Sequence, residues 1–299
     1  MDSKRLRTVQ VVPLTAFDTK DRVDLAPMEE LTRRLTAAGI SVFLPAAGTG
    51  EFHSLSANEV VSIVQMTKRV VGDDGVVIAP VGFQIGYALD VGRRALDVGA
   101  DALLIMPPVA PYLCDAGLRD YYLKIIDTLG APTLFYKKGD HPSDRLVLEL
   151  AAHSGVAGVK YAGKDVDAFG RLVADGSSLT EWLCGIAEPF APTFMLAGAT
   201  GYTSGAGNLA PRLTLAMHTA LERGAYQEAL RLQQQIRPIE DFRARAGSSY
   251  NISCLKYAIR FAGLDFGLPR LPQRLLTDDE VKELGGIVEA LLQAEEKLI

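Results

Sequence analysis

Eight short runs rich in Val, Ile and Leu recur along the chain, at 9–13, 42–45, 76–81, 102–106, 133–136, 156–160, 182–185 and 202–204. Most are nearly all apolar rather than alternating, which suits strands buried on both faces of a parallel sheet. Between them lie segments with helical spacing. Across 28–38, Met28, Leu31, Leu35 and Ala38 share one face while Glu29, Arg33 and Arg34 take the other. Segments 58–71, 87–98, 118–129, 144–153 and 166–174 repeat the pattern. Ser56, Asp115, Ser143 and Asp165 are candidate N-caps, and Gly39, Gly99, Gly130 and Gly155 are candidate stops before short connections to the next strand. Eight strands alternating with helices predict a closed (β/α)8 TIM barrel rather than an open doubly wound sheet. No GxGxxG follows the first strand, which weakens a dinucleotide-binding reading.

The eighth run ends at Ser204, leaving far more chain than one closing helix needs. Segments 213–223, 226–243, 252–262 and 278–298 read as further helices. The expected organisation is therefore a barrel over residues 1–225 and a C-terminal helical extension over 226–299 packed on it as one structural unit, with no low-complexity linker between them.

Of the 299 residues 48% are hydrophobic and 22% charged, enough apolar surface for a large core. A net charge of −5 argues against nucleic acid or an anionic membrane as the main partner. Cys114, Cys184 and Cys254 lie 70 residues apart with no CxxC, and read as reduced, mostly buried thiols. With no apolar stretch of signal-peptide or membrane-span length, a cytoplasmic protein is expected.

In such barrels chemistry sits at the C-terminal ends of the strands. Those positions hold Thr15, the Gly48-Thr49-Gly50-Glu51 turn, Tyr136, Lys160, Gly185 and Ser204-Gly205. Lys160 closes the run VAGVK. An ammonium group there either snorkels to the surface or loses water in the barrel mouth, where its pKa falls and the neutral amine becomes a carbonyl nucleophile. Tyr136 ends the neighbouring strand; it is either a proton shuttle at an imine or a core tyrosine. The Gly48–Gly50 turn allows backbone N–H groups to approach a carboxylate, with Thr49 as an extra donor. Lys137, Lys138 and Lys164 lie in polar loop sequence, as solvated groups or carboxylate binders. Glu51 reads as a helix-start charge or a structural acceptor, and His53 as a pocket-lining or surface residue, since no second metal ligand stands at suitable spacing.

PAAGTGEFHSL at 45–55, LFYK at 134–137, GVKYAG at 158–163, GATGYTSGAGN at 198–208 and CLKYAIRFAG at 254–263 followed by LPRLP occur in this order. Together they resemble the dihydrodipicolinate synthase/N-acetylneuraminate lyase family over essentially the whole chain. The resemblance implies that Lys160 is the Schiff-base lysine and Tyr136 the proton relay. It places Gly48 and Thr49 at the substrate carboxylate, and Thr203, beside Ser204, where the strand-8 backbone contacts the keto acid. Gly48 stands where synthases and sialic acid lyases carry a first hydroxyl residue, and GTGEF resembles 5-dehydro-4-deoxyglucarate dehydratases. Val109-Ala110 replaces the paired tyrosines usual after strand 4, and Lys137, Lys138 and His141 occupy the loop where a synthase places its arginine. His53 and the lysine pair also depart from the usual dehydratase pattern.

The expectation is thus a lyase that dehydrates and decarboxylates 5-dehydro-4-deoxyglucarate to 2,5-dioxopentanoate, with Lys137 or Lys138 at the distal carboxylate. The alternatives are a dihydrodipicolinate synthase-like or other pyruvate-dependent class I aldolase, and a non-catalytic keto-acid-binding relative. No metal or organic cofactor is expected, the partner is a small 2-keto acid, and the resemblance implies a homo-oligomer, tetramer or dimer.

Overall fold

The computed structural model describes residues 1–176 and 178–298. Among these, eight parallel strands close into one barrel in sequence order: β1 (Val9–Val11), β2 (Val42–Phe43), β3 (Val76–Val81), β4 (Ala102–Ile105), β5 (Thr133–Lys137), β6 (Val156–Tyr161), β7 (Glu181–Cys184) and β8 (Gly201–Ser204). Closure comes from β1 pairing β8, with Gln10 opposite Thr203 and Val11 opposite Ser204. Each strand buries both faces, one inside the barrel and one against the helices, which is why the runs are apolar without alternation.

The helices that return the chain are α1 (Leu25–Ala37), α2 (Ala57–Val71), α3 (Ile85–Asp97), α4 (Asp115–Leu129), α5 (Asp144–Ala151), α6 (Val166–Gly176), α7 (Ala191–Leu196) and α8 (Pro211–Glu222). Ser56 and Glu59 form a full capping box on α2, and Ser143 and Asp165 accept from the amides of Leu146 and Ala168. Asp115 is the first residue of α4 rather than its cap. Its carboxylate instead receives the Ser143 amide at 3.1 Å and so ties α4 to α5. Gly39, Gly99 and Gly130 end their helices with positive φ.

Two elements differ from the sequence expectation. Helix α7 spans six residues, with Pro192 in its first turn, and is too short to display helical periodicity. Strand β7 begins on the buried Glu181, tolerated in a strand because Arg7 Nε donates to it at 3.0 Å and the Thr200 hydroxyl at 2.8 Å.

After α8 come α9 (Tyr226–Arg243), a kinked turn α10 (Arg245–Ser248), α11 (Asn251–Phe261) and α12 (Asp278–Glu296). Glu295 near the end of α12 accepts the Arg212 and Leu213 amides at 3.0 and 2.8 Å, satisfying orphan donors in the first turn of α8. Cys184 and Cys254 are buried and Cys114 is exposed. No helix among the described residues is long and apolar enough to cross a membrane.

Candidate active site

Tyr136 and Lys160 are register partners on β5 and β6, so both project from the same face of adjacent strands. Lys160 is 4% exposed, and its Nζ stands 4.2 Å from the centroid of the Tyr136 ring. Loss of water drives the Lys160 pKa down to about 7, aided by the positive charge of Lys138. Burial pushes the Tyr136 phenol up to about 12, leaving it protonated at neutral pH. The pair therefore unites an amine with a large neutral fraction and an intact phenolic donor, the combination carbonyl condensation requires.

Gly185, one residue past β7, makes room for this lysine. A Cβ there would sit 2.9 Å from Lys160 Cγ and 2.8 Å from the Tyr161 carbonyl oxygen. Any larger residue would displace the lysine stem or the β6 backbone.

The turn after β2 lies across the barrel from β6, at the same rim. Gly48 and Thr49 are partly exposed within an otherwise buried stretch from Val42 to Phe52. Gly50 is held from behind: the Thr15 hydroxyl donates to its carbonyl at 2.6 Å, and a Cβ would meet the Ala46 backbone at 2.9 Å. Ala46 and Glu51 flank the glycines with φ of 57° and 65°, left-handed conformations that non-glycine residues adopt only when their surroundings hold them.

On β8 the alternation separates two candidates. The Tyr202 hydroxyl donates to the Thr214 carbonyl on α8, so Tyr202 and Ser204 face the helices and Thr203 faces the barrel interior. Ser204 Oγ donates to Glu188 and accepts the Gly207 amide at 2.7 Å. The two lysines after Tyr136 also separate, one inside β5 and one just past its end. Lys137 pairs in register with Tyr161, whose ring packs against Phe169 and Phe194 on the helix side, and its Nζ donates to the Gly139 carbonyl at 2.8 Å. Lys138 is exposed, and its charge reaches the mouth, lowering the pKa of Lys160 and of His53. His53 packs edge-on against Phe52 and Phe83, and burial is the main reason its pKa falls.

The model of the dihydrodipicolinate synthetase family matches residues 5–291. The chain belongs to that family. As a member it is an enzyme of the lyase class. It is 32% identical over 292 residues to a Streptomyces avermitilis protein described as a probable 5-dehydro-4-deoxyglucarate dehydratase, covering 94% of this chain and 93% of that one. It is 28% identical over 285 residues to the 4-hydroxy-tetrahydrodipicolinate synthase of Corynebacterium diphtheriae, covering 93% and 92%. Among solved structures, dihydrodipicolinate synthase from Oceanobacillus iheyensis superposes with a TM-score of 0.92 at 33% identity, over 99% of this chain and 98% of that one. Family members similar to this chain thus carry two different reaction names.

Around this family site the structure gives partners to groups whose roles the sequence left open or did not mark. Gly185 was visible only as a strand-end residue. Glu188 is fully buried behind β8, with hydrogen bonds from Ser204 and Thr214; desolvation raises its pKa and nearby Glu240 adds to the rise. Glu51 meets Lys256 of α11 at 2.8 Å, and both side chains are 0% exposed. The separation of 205 positions between those two left no local signal beyond the motifs that contain them.

Proposed function

We propose that this chain is a Schiff-base lyase that dehydrates and decarboxylates 5-dehydro-4-deoxyglucarate to 2,5-dioxopentanoate. The observation that carries the reading is the buried Lys160 amine, with its pKa near 7, set against the Tyr136 ring at the barrel mouth. The amine adds to the substrate ketone and expels water, giving a protonated imine that withdraws electrons from the neighbouring carbon. That carbon loses a proton, and the hydroxyl on the next carbon departs with a proton that Tyr136 is placed to relay. The product is a conjugated imine. Its electron demand reaches the carbon bearing the distal carboxylate, so the carbon–carboxylate bond breaks, CO2 leaves and the electron pair moves to the imine nitrogen. Reprotonation, tautomerisation of the enol and hydrolysis release the dioxo acid and free Lys160. The substrate loses one water and one CO2 in all.

A dicarboxylate needs two anchoring ends. Gly48 and Thr49 suit the keto-acid carboxylate. Lys138 suits the distal one, because its charge already reaches Lys160 and His53 while Lys137 is hydrogen-bonded on the helix side. The similarity to proteins described as 5-dehydro-4-deoxyglucarate dehydratases and the single hydroxyl residue in GTGEF support this substrate over a pyruvate-condensing one. A pyruvate-dependent synthase is the second reading, favoured by the 33% identity to the Oceanobacillus enzyme. Incubation with the keto-diacid separates the two. CO2 and 2,5-dioxopentanoate are expected; pyruvate released by cleavage of the keto-diacid would mark a class I aldolase, and no turnover of it would favour the synthase, which consumes pyruvate.

A further inference from the structure

The turn at 46–51 reaches its shape with two non-glycine residues in left-handed conformations, and one of them, Glu51, sends its carboxylate away from the mouth into the protein. There Oε1 meets Lys256 Nζ at 2.8 Å, and Oε2 accepts the Arg270 amide at 2.9 Å. Lys256 is itself fixed. Its Nζ donates to the Leu268 carbonyl at 3.0 Å and lies 4.0 Å from the centre of the Phe17 ring, whose contact with the Arg270 guanidinium is at 4.2 Å. Arg270 in turn donates to the Ser54 carbonyl at 2.7 Å, to Glu59 at 2.7 Å and to Asp21 at 3.1 Å. The C-terminal extension thus grips the segment that follows β2 at Glu51 and Ser54, and the first turn of α2 at Glu59.

A fully buried ion pair is a poor way to gain stability, because apolar side chains of the same size often do as well or better. What it does supply is a fixed register between two segments and a charge balance. That balance matters at this place. An uncompensated carboxylate behind Gly48 and Thr49 would repel the anion they are shaped to receive.

We propose that Lys256 is a positioning residue for the keto-acid site: through its buried ion pair with Glu51 it holds the 48–51 turn in carboxylate-binding form and cancels the charge behind it. The inference rests on the reading of that turn as the substrate-carboxylate site.

The test compares pyruvate with acetone, the same methyl ketone without the carboxylate, in borohydride trapping at Lys160. Both reactions need the neutral amine, so its titration divides out of the ratio of their rates. Referring each variant to wild type at the same pH removes contributions from His53 and Lys138. The charged groups facing Glu51 are Lys256 and Arg270, with Asp21 and Glu59 beyond them.

Lys256→Met leaves Glu51 buried without its ion-pair partner, with the Arg270 amide and the Arg270 charge beyond it still in place. Its preference for pyruvate is expected to fall about tenfold or more near neutral pH, below the value of about 8 to which burial lowers the Lys256 pKa. It should recover at more acid pH as Glu51, its own pKa raised by burial, takes up a proton. Adding Glu51→Gln should remove this pH dependence and leave the preference reduced about threefold, since no lone charge remains but the register is lost. Should Lys256→Met not fold, the double variant alone decides. A folded Lys256→Met or double variant with wild-type preference at both pH values would overturn the proposal. A wild-type chain indifferent to the carboxylate would instead overturn the site reading beneath it.

Discussion

Lys160 Nζ lies over the face of the Tyr136 ring, 4.2 Å from its centroid, and the two residues face each other in register across β5 and β6. The ring face favours the charged ammonium, whereas burial and Lys138 disfavour it. The second influence wins, leaving a pKa near 7.

The dependence of kcat/KM on pH should rise through about 7, because the nucleophile is the deprotonated amine and its pKa in the free enzyme is lowered to about 7. Tyr136, held up to about 12, contributes no falling limb near neutrality. Lys138→Gln removes a positive charge and should shift the rising limb to higher pH. A pH–rate profile measures both effects. A limb that moves to lower pH in Lys138→Gln would contradict the assignment.

Tyr136→Phe keeps the ring against Lys160 and removes only the hydroxyl. Imine formation with pyruvate should survive, while kcat falls by about 10²–10⁴, the usual worth of a positioned acid–base group. Single-turnover kinetics beside trapping separates the steps. Unchanged kcat would remove Tyr136 from the mechanism.

Gly185→Ala introduces a Cβ 2.9 Å from Lys160 Cγ and 2.8 Å from the Tyr161 carbonyl. Overpacking of this kind costs about 1–3 kcal/mol in stability. Because the strain falls on the nucleophile's stem, trapping at Lys160 should slow more than a thermal melt alone suggests. Wild-type trapping in the variant would show that the lysine tolerates displacement.

Lys138 and Lys137 make a matched pair. Lys138→Gln should raise KM for the keto-diacid about tenfold or more and leave pyruvate trapping, measured on its pH plateau, largely unaffected. Lys137→Gln should spare KM, since that ammonium is engaged by the Gly139 carbonyl. Reversal of the two phenotypes would move the distal carboxylate to the other lysine.

Strand runs buried on both faces, amphipathic helices and glycine stops made the barrel legible, because each is a local pattern imposed by one element's surroundings. The boundaries of β5 and β6 were less so. Lys137 and Tyr161 extend the ladders past where apolarity stops, since backbone pairing does not require an apolar side chain. Lys160 and Tyr136 stood out as polar residues ending apolar runs. Strand alternation separates Thr203 from Ser204 and turns Lys137 away from Tyr136, yet it becomes informative only once register and the helix-side contacts of Tyr202 and Tyr161 are known. The Glu51–Lys256 pair and the space kept by Gly185 arise from tertiary approach, which no periodicity encodes.

The most direct measurement is borohydride reduction of the protein with pyruvate and with the keto-diacid, followed by peptide mass mapping. The account predicts a reduced adduct on Lys160, lost in Lys160→Ala. No adduct, or an adduct that persists in Lys160→Ala, would contradict it.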